Sequence, residues 1–370
     1  MEFTAGGRLR VRLTPADVGK RVSVRQMVEG GAGTEKFTDT VGVLTSWDKG
    51  VLLITRRTGE SVEVPESALV AGKVVPEAPA RRRGPAADFE ELTRVGARAW
   101  QPVESEPLGG WLLRAAAAPV PEPDGGPPAG AAPRRRAGFT RRANSALPLG
   151  DPGVPLDEAL ERVRQWYGER GLPAYVQAAN GAKGTQERLC AELERRGWRP
   201  EVTAEVRIGA LAPLGDPATG TAGAADPAGT AAAADAAVSR VRLDRSVEAA
   251  TGWLQRYQRS SVPGPHVLHV LGSGPSVWFA SVPGTADIPA AIGRCVVDGR
   301  WAGFMAVEVD PAHRRQGLAT AVMTALARRA LEEGASAAWL QVESDNDGAR
   351  ALYDGMGFAV HHRYHHFRSP

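Results

Sequence analysis

The sequence predicts a mixed α/β protein, built as two like units in tandem behind a small all-β barrel. Three observations predict it. Residues 8–76 hold short β-branched runs separated by turn signals. From about residue 240, apolar strands and amphipathic helices alternate after a hairpin, the order of an α/β fold. And Leu189–Trp198 parallels Ala349–Phe358, each a helix that ends on glycine and an aromatic residue, which suggests an internal repeat. The expected divisions are a barrel at 1–76, a linker at 77–87, a second unit at 88–209, an Ala/Gly/Pro-rich linker at 210–238 expected to be disordered, and a third unit at 239–370.

In the first unit, Val22–Arg25, Thr40–Leu44, Val51–Arg56 and Ser61–Val64 are the expected strands, with hairpin turns at Asp48-Lys49-Gly50 and Thr58-Gly59-Glu60. Strands this short and this closely spaced favour a small barrel. The segment loosely resembles Src-homology and Tudor barrels, and that resemblance carries no ligand residues. The second unit opens with an amphipathic helix at Asp88–Trp100, whose stripe is Phe89, Leu92, Val95 and Ala99. A strand at Gly110–Ala116 and a mobile Pro/Gly-rich loop at Pro119–Pro133 follow. Helices are then expected at Leu156–Arg170 and Thr185–Arg196, with a strand at Tyr175–Ala178 between them. In the third unit the expected strands are Val241–Leu243, Val277–Val282, Ala290–Val297, Trp301–Val309, Ala337–Val342 and Phe358–Phe367. Its helices are Val247–Gln258, Leu318–Glu333 and Asp347–Met356.

Composition excludes several function classes. Apolar residues make up 43% of the 370, enough for ordinary cores. No apolar run approaches the roughly 20 residues of a membrane span, and Met1–Arg12 has no signal-peptide core, so a cytoplasmic protein with no membrane partner is expected. Cys190 and Cys295 are too few and too far apart for a disulfide scaffold or a C-x-x-C metal site; buried reduced thiols and no metal are expected. A net charge of +3 is small. The runs Arg81–Arg83 and Arg134–Arg136 lie beside Pro, Gly and Ala and read as solvated linker charge, so a nucleic-acid partner is not expected.

The chemistry concentrates in Val309-Asp310-Pro311-Ala312-His313-Arg314-Arg315-Gln316-Gly317-Leu318-Ala319-Thr320. A strand ends, a tight loop follows, and a helix opens with the stripe Leu318, Val322, Leu326, Ala330. The first turn of a helix has N–H groups without internal partners and partial positive charge. Gly317 lets those groups converge on an anion, and Arg314 and Arg315 add cationic donors. The pattern reads as a pyrophosphate site. Downstream lie the strand Trp339–Val342 and the block Asn346-x-x-Ala349-x-x-Leu352-Tyr353-x-x-x-Gly357-Phe358.

With both blocks in this order, residues 293–368 resemble the conserved half of the GNAT superfamily of N-acetyltransferases. The resemblance implies the acyl-CoA N-acyltransferase fold and acetyl-CoA as cosubstrate. It implies that Val307 and Val309 pair through their backbones with the pantetheine arm. Backbone groups from Arg315 through Gln316, Gly317, Leu318 and Ala319 to Thr320 would hold the pyrophosphate beside Arg314, and Asn346 would bond the arm. Tyr353 would protonate the leaving thiolate, a task that suits a phenol. Asn346 as a helix cap and Tyr353 as a core aromatic are the structural alternatives.

The base is left open. The inward positions of the strand before the loop are Gly303 and Met305, neither of which can act. Glu308 has the opposite parity and faces inward only if a bulge intervenes. Glu343 is a second candidate. His361, His362, His365 and His366, on the last strand, are expected to be mostly solvent-facing. The second unit resembles the same family faintly, lacks the R-x-x-G-x-A block, sets Glu194 against Tyr353, and is expected to have lost coenzyme binding. Arg141–Ser145 borders its acceptor cleft or is a plain surface loop. The expected activity is acetyl transfer from acetyl-CoA to a primary amine of a small molecule or protein, with the barrel as a possible peptide or protein recruiter. The alternative is a coenzyme-binding regulator or scaffold without turnover.

Overall fold

The computed structural model describes residues 11–30, 34–56, 60–75, 85–118, 138–216, 235–257, 263–284 and 287–370. The chain divides into two compact units, Met1–Arg83 and Gly84–Pro370. The expected linker at 77–87 and loop at Pro119–Pro133 lie almost wholly outside the described residues, as do the two Arg triplets.

The first unit holds β1 (Val11–Arg12), β2 (Arg21–Gly30), β3 (Thr34–Asp48), β4 (Val51–Thr55), β5 (Ser61–Pro65) and β6 (Leu69–Val74), ordered β1-β6-β2-β3-β4-β5. Asp48 pairs with Val51 across the first expected turn, where Lys49 (φ 50°) and Gly50 (φ 77°) both sit in the left-handed region. Two such residues make a type I′ hairpin, which suits the strand twist. Of the second expected turn, 57–59 lie outside the described residues, but Thr55 and Ser61 pair at its base. Leu13, Val22, Val24, Leu44, Leu52, Ile54 and Val64 form the core. Among the described residues β5 does not pair with β1, so the ladder is a curved, bulged sheet without a closing seam.

The second unit runs α1 (Phe89–Ala99), β7 (Glu104–Leu108), β8 (Trp111–Ala115), β9 (Leu147–Pro148), α2 (Leu156–Glu169), β10 (Tyr175–Asn180), α3 (Glu187–Arg195), β11 (Arg199–Ala210), α4 (Ala212–Gly215), β12 (Arg242–Asp244), α5 (Trp253–Arg256), α6 (Pro265–Gly272), β13 (Ser276–Val282), β14 (Ala291–Asp298), β15 (Trp301–Val309), α7 (Leu318–Glu332), β16 (Ala337–Glu343), α8 (Asp347–Gly355) and β17 (Ala359–Arg368). Asp88 caps α1 by accepting from the Glu91 N–H, and Leu92, Val95 and Ala99 are buried as the stripe requires.

An eight-stranded sheet, β10-β17-β11-β16-β15-β14-β13-β12, runs through both halves of this unit. The segments expected as two domains therefore share one ladder. β11 of the earlier half lies between β16 and β17 of the later half, antiparallel to both. β17 in turn pairs with β10 of the earlier half. Each half thus lends its last strand to the other, and the repeat is visible in the pairing. Parallel β15 and β16 have their counterpart in the parallel bridge of Ala146, beside β9, to Val176 of β10. Leu92, Trp253, Val270, Trp301 and Trp339 cover one face, and α7 with Leu211 and Leu214 covers the other. α2 and α3 build a third core with β7–β10.

Four expectations change. The linker at 210–238 is ordered at both ends, because Leu211, Leu214 and Val238 are apolar anchors buried against α7. The helix expected at Val247–Gln258 survives only as α5; Gly252 (φ 70°) turns the chain immediately before it. The histidines of β17 are not solvent-facing: His362 and His366 are buried, and His361 and His365 are half-buried, because β17 is an inner strand. The counterpart of Tyr353 is Leu193, not Glu194. Both helices close on a left-handed glycine, Gly197 or Gly357, after which Trp198 N–H bonds Leu193 O and Phe358 N–H bonds Tyr353 O.

Candidate active site

β15 and β16 pair in parallel from Trp301–Ala337 to Phe304–Leu340, and there the ladder ends although both strands continue. The strands part at a bulge. Arg294 pairs with Met305 but Ile292 pairs with Glu308, so Gly293 faces two residues, and Ala306 holds φ 53°. An extra residue reverses the side-chain alternation beyond it. Met305 packs in the core with Trp301 and Trp339, whereas Val307 and Val309 pack with α7 on the opposite face. Glu308 therefore joins the side of Gly303 and Met305, the condition the sequence left open. Gly303 has no room for a side chain: a Cβ there would lie 2.5 Å from the Trp339 indole.

The parting strands open a cleft of about 870 Å³. One end is the start of α7. Gly317, its N-cap, has φ 74° and ψ 4°, and Arg315 has φ 64°. A Cβ on Gly317 would meet nothing within 4 Å, so glycine is needed there for its backbone angle and not for clearance from the protein. Ala321 N–H bonds Gly317 O at 2.9 Å; the N–H groups of Leu318, Ala319 and Thr320 precede the first helical acceptor. Arg314 and Arg315 are exposed and form no ion pair among the described residues. They line the cleft beside Gly317, Leu318, Ala319 and Thr320, so amides at a helix start and two guanidiniums share one end of it, an arrangement suited to a diphosphate. Asp310 holds the loop from behind, accepting from Ala312 N–H at 2.9 Å and pairing with Arg256. The Ala312 N–H bond, reinforced by the Arg256 guanidinium, keeps its carboxyl below the usual range.

The other side of the cleft comes from α8. Asn346 Oδ1 caps this helix by accepting from Ala349 N–H at 3.1 Å, so the cap reading holds, and Asn346 also lines the cleft. Tyr353 lines the cleft half-buried, its ring edge-on to Phe358 at 5.9 Å. Glu308 and Glu343 line it from the two parted strands. Trp100, Arg256 and Tyr257 also line it, arriving from distant elements that carry no local signal of the site. Of Arg141–Ser145, Arg142 borders the cleft, while Asn144 and Ser145 are buried: Asn144 accepts from Ala116 N–H and donates to Phe139 O, and Ser145 accepts from Arg114. Cys190 and Cys295 are buried and unbridged, and burial pushes their thiols up to about 11 and about 12.

In the earlier half the matching helix, α2, begins with Asp157 and Glu158, which pair with Arg196 and Arg162, and no arginine lies in the loop 149–155 before it. One half carries a basic loop at this helix start and the other does not.

A sheet whose parallel central strands splay at a bulge, beside a helix start with unpaired amides, is the arrangement of the GNAT fold. Residues 129–367 match the family described as probable histone acetyltransferase Rv0428c, C-terminal, and the chain belongs to that family. It is 32% identical over 159 residues to the probable histone acetyltransferase Rv0428c of Mycobacterium tuberculosis, covering 43% of each chain. It is 44% identical over 50 residues to a ribosomal protein bS18-alanine N-acetyltransferase of Haemophilus ducreyi, covering 14% of this chain and 34% of that one. The chain thus spans less than half the length of these curated relatives. Similar solved structures include a GCN5-related N-acetyltransferase from Kribbella flavida (16% identity, TM-score 0.47, 77% of this chain and 97% of that one). Another is a tandem GNAT protein from the clavulanic acid biosynthesis pathway (15% identity, TM-score 0.45, 79% and 90%). Among the described residues no helix is long and apolar enough to cross a membrane.

Proposed function

We propose that this chain transfers an acetyl group from acetyl-CoA to a primary amine of a small molecule or protein. The observation that carries the reading is the ladder between β15 and β16, which ends at Phe304–Leu340 and opens a cleft leading to the unpaired amides of α7. The relatives' names describe protein acceptors for those proteins, a histone and a ribosomal protein alanine.

Acetyl-CoA supplies a thioester activated toward nitrogen. The residues have separate tasks. Amides from Arg315 to Thr320, with the Arg314 and Arg315 guanidiniums, grip the diphosphate. Val307 and Val309 offer backbone groups to the pantetheine arm on the side where β16 has departed, and Asn346 Nδ2 donates to the same arm. Tyr353 gives the departing sulfur its proton. Glu308 or Glu343 takes the ammonium proton, directly or through water. The bulge at Ala306 supports this last role by turning Glu308 inward, and it weakens the case for a binding protein without turnover.

Replacing Gly317 with Glu tests the reading. A side chain at φ 74° is strained, and its charge opposes the phosphates. Calorimetry should show acetyl-CoA affinity falling at least about tenfold, since charge-assisted contacts contribute about 1.5–3 kcal/mol each. Unchanged affinity would sink the proposed site.

A further inference from the structure

A second chamber of about 170 Å³ adjoins the cleft and shares Arg142, Tyr257 and Glu343 with it. Its polar walls are unusual in what they leave unpaired. His366 is 2% exposed, lines the chamber, and among the described residues has no hydrogen-bond partner on either ring nitrogen. Arg142 donates from Nε to the Tyr364 hydroxyl at 2.9 Å and stacks over Trp100, but meets no carboxylate among the described residues. The neighbouring Arg141 is already neutralised by Glu201 at 2.7 Å. Buried polar groups are normally bonded, so two orphan ring nitrogens beside an uncompensated guanidinium call for a ligand.

We propose that this chamber binds the carboxylate of the acceptor, and that the acceptor is a free amino acid. This rests on the acetyltransferase reading and names its substrate class. Charge decides between anions. One uncompensated guanidinium matches one negative charge, and a phosphate's second charge would have nothing to meet. Burial, and then the guanidiniums of Arg142, Arg114 and Arg141, hold His366 well below its ordinary value of 6.5, so the ring is neutral and offers one N–H donor. Glu343 lines both the chamber and the cleft, and Glu308 lines the cleft alone, so carboxylates that suit an ammonium stand between His366 and the coenzyme side. The volume equals roughly six waters at about 30 Å³ each, which fits a small amino acid and excludes a folded partner. In the transfer, an ammonium proton passes to a glutamate and the amine forms a C–N bond to the acetyl carbon. The C–S bond breaks, Tyr353 protonates the thiolate and regains a proton from the nitrogen, and the glutamate releases the first proton to solvent.

The test measures thiol release with acetyl-CoA and matched acceptor pairs: L-alanine, β-alanine, 4-aminobutyrate and L-lysine, each against its primary amide. Intrinsic reactivity favours the amide, whose amine is less protonated near neutral pH, so a preference for the acid must come from the protein. The expected kcat/KM ratio of acid to amide is about tenfold or more in at least one pair, as for one charge-assisted bond. In R142Q that ratio should fall toward one, with R142K intermediate, and a retained melting transition would show that the variants fold. A wild-type ratio near one, with amides or peptide N-termini turned over as well as the acids, overturns this inference and leaves the acetyltransferase reading standing. Failure to bind acetyl-CoA or to acetylate any amine overturns both.

Discussion

One alanine decides which carboxylate reaches the cleft. Ala306 adopts φ 53°, a conformation that costs a non-glycine residue about 1–2 kcal/mol, and it reverses the alternation of β15. Deleting Ala306 should restore the two-residue period and straighten β15, leaving Glu308 on the side of Met305 but closing the gap that opens between β15 and β16 beyond Phe304–Leu340. Acetyl-CoA affinity, read by calorimetry, should fall about tenfold or more. Tyr353→Phe should lower kcat by about 100-fold while leaving acetyl-CoA KM nearly unchanged, because proton donation contributes to the transition state. The histidines of β17 govern acid stability. Burial, with the neighbouring His361, lowers His362 from 6.5 to about 3. Below pH 6.5 the unfolded chain binds a proton that the native site refuses, so stability should drop as pH falls from 6.5 toward 3. The expected slope is about 1.4 kcal/mol per pH unit for each such histidine. Urea midpoints measured between pH 7 and 5 should show this, and H362Q should flatten the slope. At this scale the loop before α7 stood out in the sequence, because glycine and arginine types declare themselves. It left Glu308 conditional, because the bulge falls on an alanine, which carries no conformational signal.

Among the elements, helix ends carry much of the order. Arg294 is fully buried and donates to Leu271 O at 2.6 Å, Ala99 O at 3.0 Å and Ser273 O at 2.6 Å. These carbonyls close α6 and α1, so one guanidinium of β14 pins two helix C-termini, where positive charge is favoured. Its burial lowers it to about 10, still charged near neutrality. R294L should cost about 3 kcal/mol by leaving those carbonyls unsatisfied, measurable by urea unfolding. From Ser276 onward the elements were legible because apolar runs mark the strands and because α7 and α8 run into glycines, Gly334 and Gly357. Around Val247–Gln258 the apolar spacing suggested a helix, but Gly252 at φ 70° prevailed over the pattern. Pro265 marks the start of α6 instead. β11 went unread because its partners lie more than a hundred residues downstream, beyond any local signal.

For the whole second unit, the exchanged strands are the central fact. β11 pairs along the full length of β16, from Ala204–Glu343 to Ala210–Ala337. Buried Arg207 further ties β11 to α8 through Asp354 at 2.7 Å. A fragment covering 239–370 alone should lack this inner strand and aggregate. A cleavage site introduced between 217 and 234 should instead leave two fragments that elute together at the mass of the uncut protein. The repeat in the sequence hinted at two like folds, but it could not show that they interlock, since lending a strand leaves no mark on either partner's residues. That interlock has a consequence for inheritance. The half without a basic loop is not dead weight that a lineage can shed, because any deletion reaching β11 strips the partner strand from β16, which lines its sibling's cleft. Selection on one half's cleft therefore preserves the other half's architecture.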